Sequence, residues 1–308
     1  MLIAGALALL PCGVATLALD SPTPPPGGVT MDSLRRAIDA RVAAVPGAVV
    51  AVAYHDLTTG DTLWMNADDE FHAASTMKVP VMIELFRRVD AGQLSLGQQI
   101  LLVNQFASIV DGSPYSLDSA DDSDTELYHH VGARIPIENL LERMIERSSN
   151  LATNTVIATL GAARVDSTAH EMGASHMHVL RGVEDGRAFD QGLNNRTTAR
   201  DLAVLMTAIA DDHAASKASC ARMRAILLKQ EFSDEIPAGL PPGTPVAHKT
   251  GWITGVLHDA AIVYPRGRGP YVLVVLTRGI PEQKVAQSLI ADVSRLVYAS
   301  AMSPAGRG

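Results

Sequence analysis

The stretch FHAASTMKVPVMIELFRRVD, residues 71–90, decides the fold of this chain. Beyond Lys78 it is almost continuously apolar, which predicts a helix buried on most of its surface. Pro80 fits the first turn of such a helix, where a backbone N–H has no intrahelical partner. Ser75 and Lys78 are three residues apart, so the helix would direct both side chains to one face.

A serine and a lysine on one helix face have a chemical use. A serine hydroxyl becomes a good nucleophile when a base takes its proton, and a desolvated lysine can be that base. The N–H dipoles at the helix start would stabilise an oxyanion formed beside the serine. Taken alone, the S-x-x-K spacing more often marks an ordinary serine and lysine that open a helix. Ser75 and Lys78 are therefore candidates that need further support.

Composition bounds the class of protein. The chain has 308 residues, of which 47% are apolar, enough for a substantial core. Its net charge of −8 lacks the basic footprint of a nucleic-acid-binding protein, so we expect no nucleic-acid partner. Arginine outnumbers lysine twenty to five, which makes each lysine informative. Of the two cysteines, Cys12 lies in a segment that we expect to be removed, and Cys220 is then a lone structural thiol.

The N-terminal segment indicates export. Residues 1–19 have the apolar composition of a signal peptide, with cleavage expected after Ala18. Lipid attachment at Cys12 is disfavoured by the preceding Pro11, and residues 20–30 form a Pro/Gly linker. No later run approaches the roughly 20 apolar residues of a membrane span. We therefore expect a soluble protein that is secreted or periplasmic.

Predicted strands lie near both ends of the chain, and predicted helices fill its middle. This order predicts an α+β fold, a sandwich in which an antiparallel sheet from the N- and C-terminal segments has flanking helices. The α/β lobe would comprise residues 31–80 and 230–303, and a mostly helical lobe would comprise residues 81–229. The predicted strands are 48–54, 62–65, 245–250, 259–264 and 271–277, and the predicted helices are 32–45, 137–160, 199–209, 221–228 and 281–299.

The least regular part of the chain, residues 104–136, carries a cluster of acidic side chains. They suggest calcium, but the alternating ligands and the glycine of a known calcium loop are missing. We expect a solvated loop. The acidic residues are Asp118, Asp121, Asp122, Asp124 and Glu126.

Two further motifs carry chemistry-bearing side chains. Ser148-Ser149-Asn150 lies at a predicted helix junction, where a hydroxyl can pass a proton and an amide can hold a carbonyl group. Lys249-Thr250-Gly251 lies on a predicted strand, where the polar pair can bind a carboxylate and glycine allows close approach of substrate. Each motif alone is more often structural.

Together and in this order, S-x-x-K, S-x-N and K-T-G resemble the motif set of penicillin-recognising serine enzymes. The resemblance covers roughly residues 31–300 and is closest to the class A β-lactamase branch. It implies a β-lactamase/transpeptidase-like fold and a serine hydrolase that opens β-lactam rings through an acyl-serine intermediate. It also implies a small β-lactam as substrate and no cofactor, and we expect a monomer.

The resemblance implies a role for each matched position. The implied catalytic roles are nucleophile for Ser75, proton acceptor for Lys78, proton relay to the lactam nitrogen for Ser148 and local positive charge for Lys249. Asn150 and Thr250 would contact the substrate amide and carboxylate, with Gly251 between Thr250 and Trp252. The backbone N–H groups of Ser75 and Trp252 would form the oxyanion hole.

Class A enzymes also use a loop glutamate to activate water against the acyl-enzyme. The resemblance assigns this role to Glu184, which follows Asn150 by 34 residues. The surroundings depart from the family pattern, because Ala188 occupies the place of a water-holding asparagine and Ser149 that of an aspartate.

Two alternatives remain around Glu184. Asn194 or Asn195 could replace the missing asparagine. Alternatively, Glu184 is only a loop carboxylate that pairs with Arg181 or Arg187.

An arginine clamp for the substrate carboxylate is also expected near K-T-G. Arg278, at the end of the last predicted strand, is the candidate, and the alternative is an exposed arginine at a strand end. His258 follows K-T-G closely and could line the site, although a packed strand histidine is the more common case.

Two other functions share the three motifs. The first is a D-alanyl-D-alanine peptidase, or related penicillin-binding enzyme, that acts on peptidoglycan stem peptides. The second is a sensor module that is acylated once and releases no product. The departures around Glu184 keep the peptidase hypothesis open.

Metal-dependent chemistry is not indicated. The ten histidines include His129, His130, His176 and His178, but no H-E-x-x-H or H-x-H-x-D pattern occurs. His176 and His178 would share one face of a strand, and we expect no metal there.

Overall fold

The computed structural model describes residues 30–303. The helices are α1 (Met31–Ala43), α2 (Lys78–Asp90), α3 (Ile137–Glu146), α4 (Asn150–Leu160), α5 (Ala162–Glu171), α6 (Gly186–Asp190), α7 (Ala199–Ala210), α8 (Lys217–Leu227) and α9 (Gln283–Met302). The strands are β1 (Val49–Asp56), β2 (Thr62–Met65), β3 (Phe71–His72), β4 (Gln99–Leu101), β5 (Phe106–Ala107), β6 (Pro114–Tyr115), β7 (Arg134–Pro136), β8 (Arg196–Thr197), β9 (Val246–Ile253), β10 (Val256–Val263) and β11 (Tyr271–Arg278).

The main sheet has five strands in the order β2-β1-β11-β10-β9, and every neighbouring pair is antiparallel. All five strands come from the two segments predicted for the α/β lobe, residues 31–80 and 230–303. The antiparallel α+β prediction is confirmed. The central strand, β11, is buried over seven of its eight residues, because helices cover both faces of the sheet.

One face of the sheet is covered by the terminal helices. Leu34 and Ile38 of α1 and Leu289 of α9 pack with Tyr54 and Leu273 of the sheet in one core cluster. The other face continues into a larger core that includes the helices of the middle segment. Helix α7 lies on this face against β1, β10 and β11, so the middle helices and the sheet share one core.

Helix α2 is the buried centre of the helical part, as its sequence predicts. Every side chain from Lys78 to Phe86 is buried, and the helix packs against α3, α4, α5 and α8. The predicted helix start needs one refinement: Ala74–Met77 form a 3₁₀ turn, and the α-helix itself begins at Lys78. Lys78 closes this turn, because its backbone N–H donates to the carbonyl oxygens of Ser75 and Thr76.

Two helices were not predicted. Helix α5 mixes arginine, aspartate, serine and histidine with few apolar residues, and only Val165, Thr168 and Ala169 are buried. Helix α6 has only five residues. Both are too short or too polar for periodicity to reveal.

The acidic segment of residues 104–136 is not wholly solvated, so that prediction is wrong for its two central carboxylates. Asp122 and Asp124 are buried, whereas Asp118, Asp121 and Glu126 are exposed. Arg143 donates to both carboxylate oxygens of Asp124 at 2.8 Å. Protein donors, rather than solvent, therefore satisfy the buried acids.

Cys220 is buried in α8, as expected of a structural thiol. The predicted signal peptide, its cleavage after Ala18, Cys12 and most of the predicted linker lie outside the described residues. Within residues 30–303, no helix combines the length and apolar composition needed to cross a bilayer.

Candidate active site

The first two motifs meet at the amine of Lys78. This residue has no exposed surface, and its Nζ donates to the Ser148 carbonyl oxygen at 2.6 Å. It also donates to Ser148 Oγ and to Asn150 Oδ1, each at 3.1 Å. The start of α2 and the junction between α3 and α4 are therefore joined through one buried lysine.

The third motif reaches the same hydroxyl. Lys249 Nζ donates to Ser148 Oγ at 3.0 Å and to the Thr250 carbonyl oxygen at 2.9 Å. Ser148 Oγ thus accepts hydrogen bonds from Lys78 and Lys249 together. Side chains more than 100 residues apart in sequence converge on one oxygen atom.

Gly251 brings K-T-G against the candidate nucleophile. A Cβ atom at this position would lie 3.0 Å from the Ser75 backbone nitrogen and 3.1 Å from that of Thr76. Strand β9 also packs against the 3₁₀ turn that carries Ser75. Glycine is needed here because the backbones of strand and turn approach too closely for a side chain. Ser75 is partly exposed, so substrate can reach its hydroxyl.

Backbone strain is concentrated at this site. Among residues 30–303, five non-glycine residues have a positive φ, and three of them lie here. These three are Ala74 at 44°, immediately before Ser75, Ser148 at 59° and Glu184 at 61°. A left-handed conformation costs a residue with a Cβ of the order of 1 kcal/mol and is most frequent where function fixes a side chain.

The two lysines have altered acid–base properties. Burial lowers the pKa of Lys78 to about 7, although the nearby carboxylates of Asp122 and Glu184 act to raise it. Burial also lowers the pKa of Lys249 well below its usual range, and the neighbouring Lys78 ammonium lowers it further. A lysine with a pKa near 7 has a substantial unprotonated fraction at neutral pH and can accept a proton.

Glu184 reaches the site through Asn150. Its Oε1 accepts a hydrogen bond from Asn150 Nδ2 at 2.5 Å. The carboxyl keeps an exposed side, yet the protein around it displaces enough water to raise its pKa, with the Asn150 hydrogen bond opposing this shift. A carboxyl whose pKa is moved toward neutrality is suited to accept a proton from water.

The proposed pairing of Glu184 with an arginine is not observed. Arg187 pairs with Asp111 at 2.7 Å, and the Arg181 guanidinium donates to Leu193 O, Gly182 O and Asn194 Oδ1. Glu184 is therefore a member of the Lys78 network and not a partner of either arginine.

Asn194 and Asn195 do not replace the missing asparagine. Asn194 accepts from Arg181, and Asn195 uses its amide on the backbone of Leu180 and Arg181. Both asparagines thus brace the loop around Arg181, and neither is hydrogen-bonded to Glu184.

The loop is held near Glu184 by Asn154, a residue the sequence analysis did not single out. Asn154 Oδ1 accepts from Val183 N at 2.7 Å, and its Nδ2 donates to Val183 O at 3.0 Å. A Cβ on Gly182 would come within 2.3 Å of Asn154 Oδ1. On the other side of Glu184, the Asp185 carboxylate accepts from Ser108 Oγ at 2.9 Å. The strained glutamate is fixed from both flanks.

Asp122 is a second residue that sequence reasoning missed. Its Oδ2 accepts from the backbone nitrogens of Asn150 at 3.0 Å and Leu151 at 2.9 Å, and from Tyr128 Oη at 3.0 Å. It therefore caps α4 from a distant segment, beside the Ser149 hydroxyl, which caps the same helix by accepting from Ala152 N. Its position was visible only as part of an acidic run, which gives no hint of its partner.

Arg278 is not brought to the K-T-G motif. It lies at the exposed end of β11, where its Nη1 donates to Glu70 O at 2.7 Å and its guanidinium lies 4.7 Å from the Phe71 ring centre. Its register partner in β10 is Val256, which in turn pairs with Ile253 beyond the motif. The exposed strand-end alternative describes its surroundings.

His258 is a packed strand histidine. It has no exposed surface, its Nε2 lies 2.9 Å from His72 O, and its Nδ1 accepts from Thr277 N at 3.2 Å. Burial lowers its pKa to about 4, so the ring is neutral and fixes the segment before Ser75. Trp252, by contrast, is 55% exposed at the rim next to Gly251.

Comparison with known proteins finds that this chain is similar to beta-lactamases. The model of the Beta-lactamase enzyme family matches residues 33–301. A beta-lactamase of Streptomyces fradiae is 29% identical over 275 residues, which cover 86% of this chain and 83% of that protein.

Solved structures agree. A beta-lactamase from Sphaerobacter thermophilus DSM 20745 has a TM-score of 0.77 and 28% identity, with 89% of this chain and 99% of that chain covered. A mutant of PBP-A in an acyl-enzyme complex with penicillin-G has a TM-score of 0.74 and 28% identity, with 91% and 99% covered.

Proposed function

The chain belongs to the beta-lactamase enzyme family, and from this premise we propose that it hydrolyses β-lactams through an acyl intermediate on Ser75. The observation that carries the assignment is the shared hydrogen bonding of Lys78 and Lys249 to one Ser148 hydroxyl, beside the Ser75 turn. The S-x-x-K motif thereby supplies a nucleophile and a base, S-x-N supplies a proton relay, and K-T-G supplies a second lysine, all within one cleft.

Acylation begins at Ser75. The unprotonated amine of Lys78 takes the Ser75 hydroxyl proton while the oxygen attacks the lactam carbonyl carbon. The backbone N–H groups of Ser75 and Trp252 stabilise the oxyanion that forms. When the carbonyl is re-formed, the C–N bond breaks and the electron pair passes to the ring nitrogen.

The leaving nitrogen takes its proton from Ser148. Both lysine amines donate to Ser148 Oγ, so its lone pairs are engaged and its own O–H is free to point at the substrate nitrogen. Lys78 then returns the proton it took from Ser75 to the Ser148 oxygen. The net result is a ring-opened ester on Ser75, with no proton gained or lost by the protein.

Lys249 and Thr250 bind the substrate carboxylate. Because burial disfavours the charged form of Lys249, an incoming carboxylate that restores this charge gains a strong, desolvated ion pair. Asn150 holds the substrate amide, and Gly251 lets the strand lie directly against the Ser75 turn, so that substrate can contact both.

Glu184 activates water against the ester. Its carboxylate takes a proton from the water that attacks the acyl carbon, and the hydrogen bond from Asn150 holds it in position. The tetrahedral intermediate then collapses, the bond between the acyl carbon and Ser75 Oγ breaks, and the proton that Glu184 took from water passes to Ser75 Oγ. This restores the free serine and the Glu184 carboxylate.

Intact-mass measurement with a chromogenic cephalosporin tests this proposal. We expect multiple turnovers from the wild-type chain, a persistent adduct on Glu184→Gln and no adduct on Ser75→Ala. Exposed Glu171→Gln in α5 is the matched control for the carboxylate change. Undiminished turnover by Glu184→Gln would remove Glu184 from the mechanism, and an unmodified wild-type protein would refute the function.

A D-alanyl-D-alanine peptidase is the second candidate. It is favoured by Ala188 in the place of the water-holding asparagine. Release of D-alanine from an acyl-D-Ala-D-Ala peptide, with a long-lived penicillin adduct on the wild-type chain, would select it. An adduct without peptide cleavage would select a sensor.

Export and a monomeric state are also part of the proposal. The apolar run of residues 1–19 supports a signal peptide and hence a secreted or periplasmic location. The proposed mechanism uses residues of one chain only and requires no second copy, so we propose a monomer. N-terminal sequencing of the exported protein and its mass in solution test these two points.

A further inference from the structure

A second cluster of chemistry-bearing side chains lies outside the Ser75 cleft. Asp166, His170 and His178 each present one potential ligand atom, and these atoms lie within 4.8 Å of one another. Asp166 and His170 are one turn apart on α5, and His178 follows that helix in sequence. His176, the predicted companion of His178, lies in a turn and is not part of the cluster.

No hydrogen bond joins the three side chains to one another, and the two imidazole rings meet edge to face with their centroids 5.6 Å apart. His170 Nδ1 lies 3.8 Å from Asp166 Oδ2, and His178 Nδ1 lies 3.9 Å from Asp166 Oδ1. Both distances exceed those of a hydrogen bond. Two ligands of one tetrahedral metal ion, each about 2.0–2.2 Å from it, are separated by about 3.3 Å. Shifts of well under 1 Å in each side chain would close the set around an ion.

Backbone groups around the cluster hold two of its side chains in place by hydrogen bonds. His170 Nε2 lies 2.7 Å from the Met177 carbonyl oxygen, which accepts its hydrogen, so Nδ1 is the ring nitrogen that faces Asp166. Asp166 Oδ1 accepts from Val179 N at 2.8 Å, which fixes the carboxylate. Histidine ligands typically donate their other ring nitrogen to a carbonyl or carboxylate in this way.

We propose that Asp166, His170 and His178 form a binding site for a divalent transition-metal ion, with Zn²⁺ as the matching ion. The set of two imidazoles and one carboxylate suits zinc, and the partial exposure of all three side chains leaves a fourth position to water. The site is separate from the proposed hydrolysis and requires no metal in that reaction.

The metal would fasten the base of the Glu184 loop. His178 exchanges backbone hydrogen bonds with Arg196, His178 N to Arg196 O at 2.9 Å and Arg196 N to His178 O at 3.0 Å. These two residues bracket the segment that contains Glu184. An ion bound by α5 and His178 would therefore link the His178–Arg196 bridge, where this loop begins and ends, to helix α5.

Zinc titration of chelator-treated full chain tests the site. We expect one Zn²⁺ per chain by calorimetry and a rise in Tm of about 5 °C or more at a hundredfold excess over Kd. His170→Gln and His178→Gln should each weaken binding by at least about tenfold. Their Tm in chelator should match that of the wild type, because both side chains are partly exposed.

His176→Gln and the double change His129→Gln, His130→Gln are the matched controls, since they remove exposed histidines outside the cluster. Both should bind zinc as the wild type does. Absence of binding, equal binding by His170→Gln and His178→Gln, or loss of binding only in the controls would each overturn the proposal. The readouts are metal content and stability, so they are independent of Ser75 chemistry.

Discussion

Lys78 shows how one residue links burial to chemistry. Its amine is enclosed, hydrogen-bonded to three oxygens and has a pKa lowered to about 7. The same burial that makes the charged form unfavourable makes the neutral amine available. Lys78 can therefore act as a base only because the surrounding cleft excludes water and lowers its pKa.

The pH dependence of acylation follows from this pKa. Protonated Lys78 cannot accept the Ser75 proton, so we expect the single-turnover acylation rate to rise about tenfold per pH unit at low pH. It should level off above pH about 7, the pKa of Lys78. The burst phase of stopped-flow acylation gives this profile on the wild-type chain, which keeps the Glu184 charge that contributes to the Lys78 pKa. A rate constant that is flat from well below to well above this pKa would contradict the assignment of Lys78 as base.

Asp122 should tune that profile without touching substrate. Its charge raises the pKa of Lys78, so Asp122→Asn should move the rising limb of acylation to lower pH by about 0.5–1 unit. Weaker capping of α4 should also cost about 1–3 kcal/mol of unfolding free energy. The measurements are the acylation pH profile and urea unfolding.

Asp124→Asn is the control for Asp122→Asn, because Asp124 is equally buried but pairs with Arg143. Asp124→Asn should lower the free energy of unfolding and leave the pH dependence of acylation unchanged. An acylation pH profile that is the same in Asp122→Asn as in the wild type would show that Asp122 is only structural.

At the level of elements, the loop of residues 181–195 has to be placed as accurately as the helices. Asn154 of α4 binds both the N–H and the carbonyl of Val183, next to Glu184. The same helix begins with Asn150, so one rigid element positions the glutamate from two points.

Loss of the Asn154 anchor should separate the two chemical steps. We expect Asn154→Ala to slow deacylation by about tenfold or more, because Glu184 loses its fixed position, and to change acylation by less than about twofold. Burst kinetics with a chromogenic substrate resolve the two rates. The control is Asn139→Ala, an exposed asparagine of α3. Equal slowing of both steps would indicate general disruption of the cleft.

The secondary structure of the catalytic elements could largely be predicted from the sequence. The tertiary hydrogen bonds that hold these elements in place could not. Strongly apolar α2 and the β-branched strands reveal themselves by periodicity, and S-x-x-K and K-T-G keep their chemistry within a few residues. Asp122 and Asn154 act on backbone groups brought near by tertiary folding, so no local pattern marks them. The contacts of Arg278 were unpredictable for the same reason, since a strand end fixes its height in the sheet and not the direction of its guanidinium.

The whole molecule carries a pH-sensitive acid behind the K-T-G strand. Glu235 is buried, and burial, with Asp259 nearby, raises its pKa to about 7 from 4.5. The folded chain therefore holds a proton that the unfolded chain has lost between these two values. Stability is highest below the unfolded pKa and falls as the pH rises through about 7.

Glu235→Gln should remove this pH dependence. Relative to the variant, the wild type should lose on the order of 3 kcal/mol of unfolding free energy between pH 4.5 and pH 7, the two pKa values of the acid. Urea unfolding of both proteins across this range measures the difference. Exposed Asp69→Asn is the control, because Asp69 is not among the charges that shift the pKa of Glu235, and it should run parallel to the wild type. A constant difference between wild type and Glu235→Gln would exclude a shifted carboxyl.

The sheet order has a consequence for biosynthesis. Strand β1 pairs with β11, so Val49 meets Arg278 only after nearly the entire polypeptide has been translated. Until then the early strands lack their central neighbour, and an emerging chain stays open. Late closure of the sheet therefore leaves a long interval in which the nascent chain has no complete core.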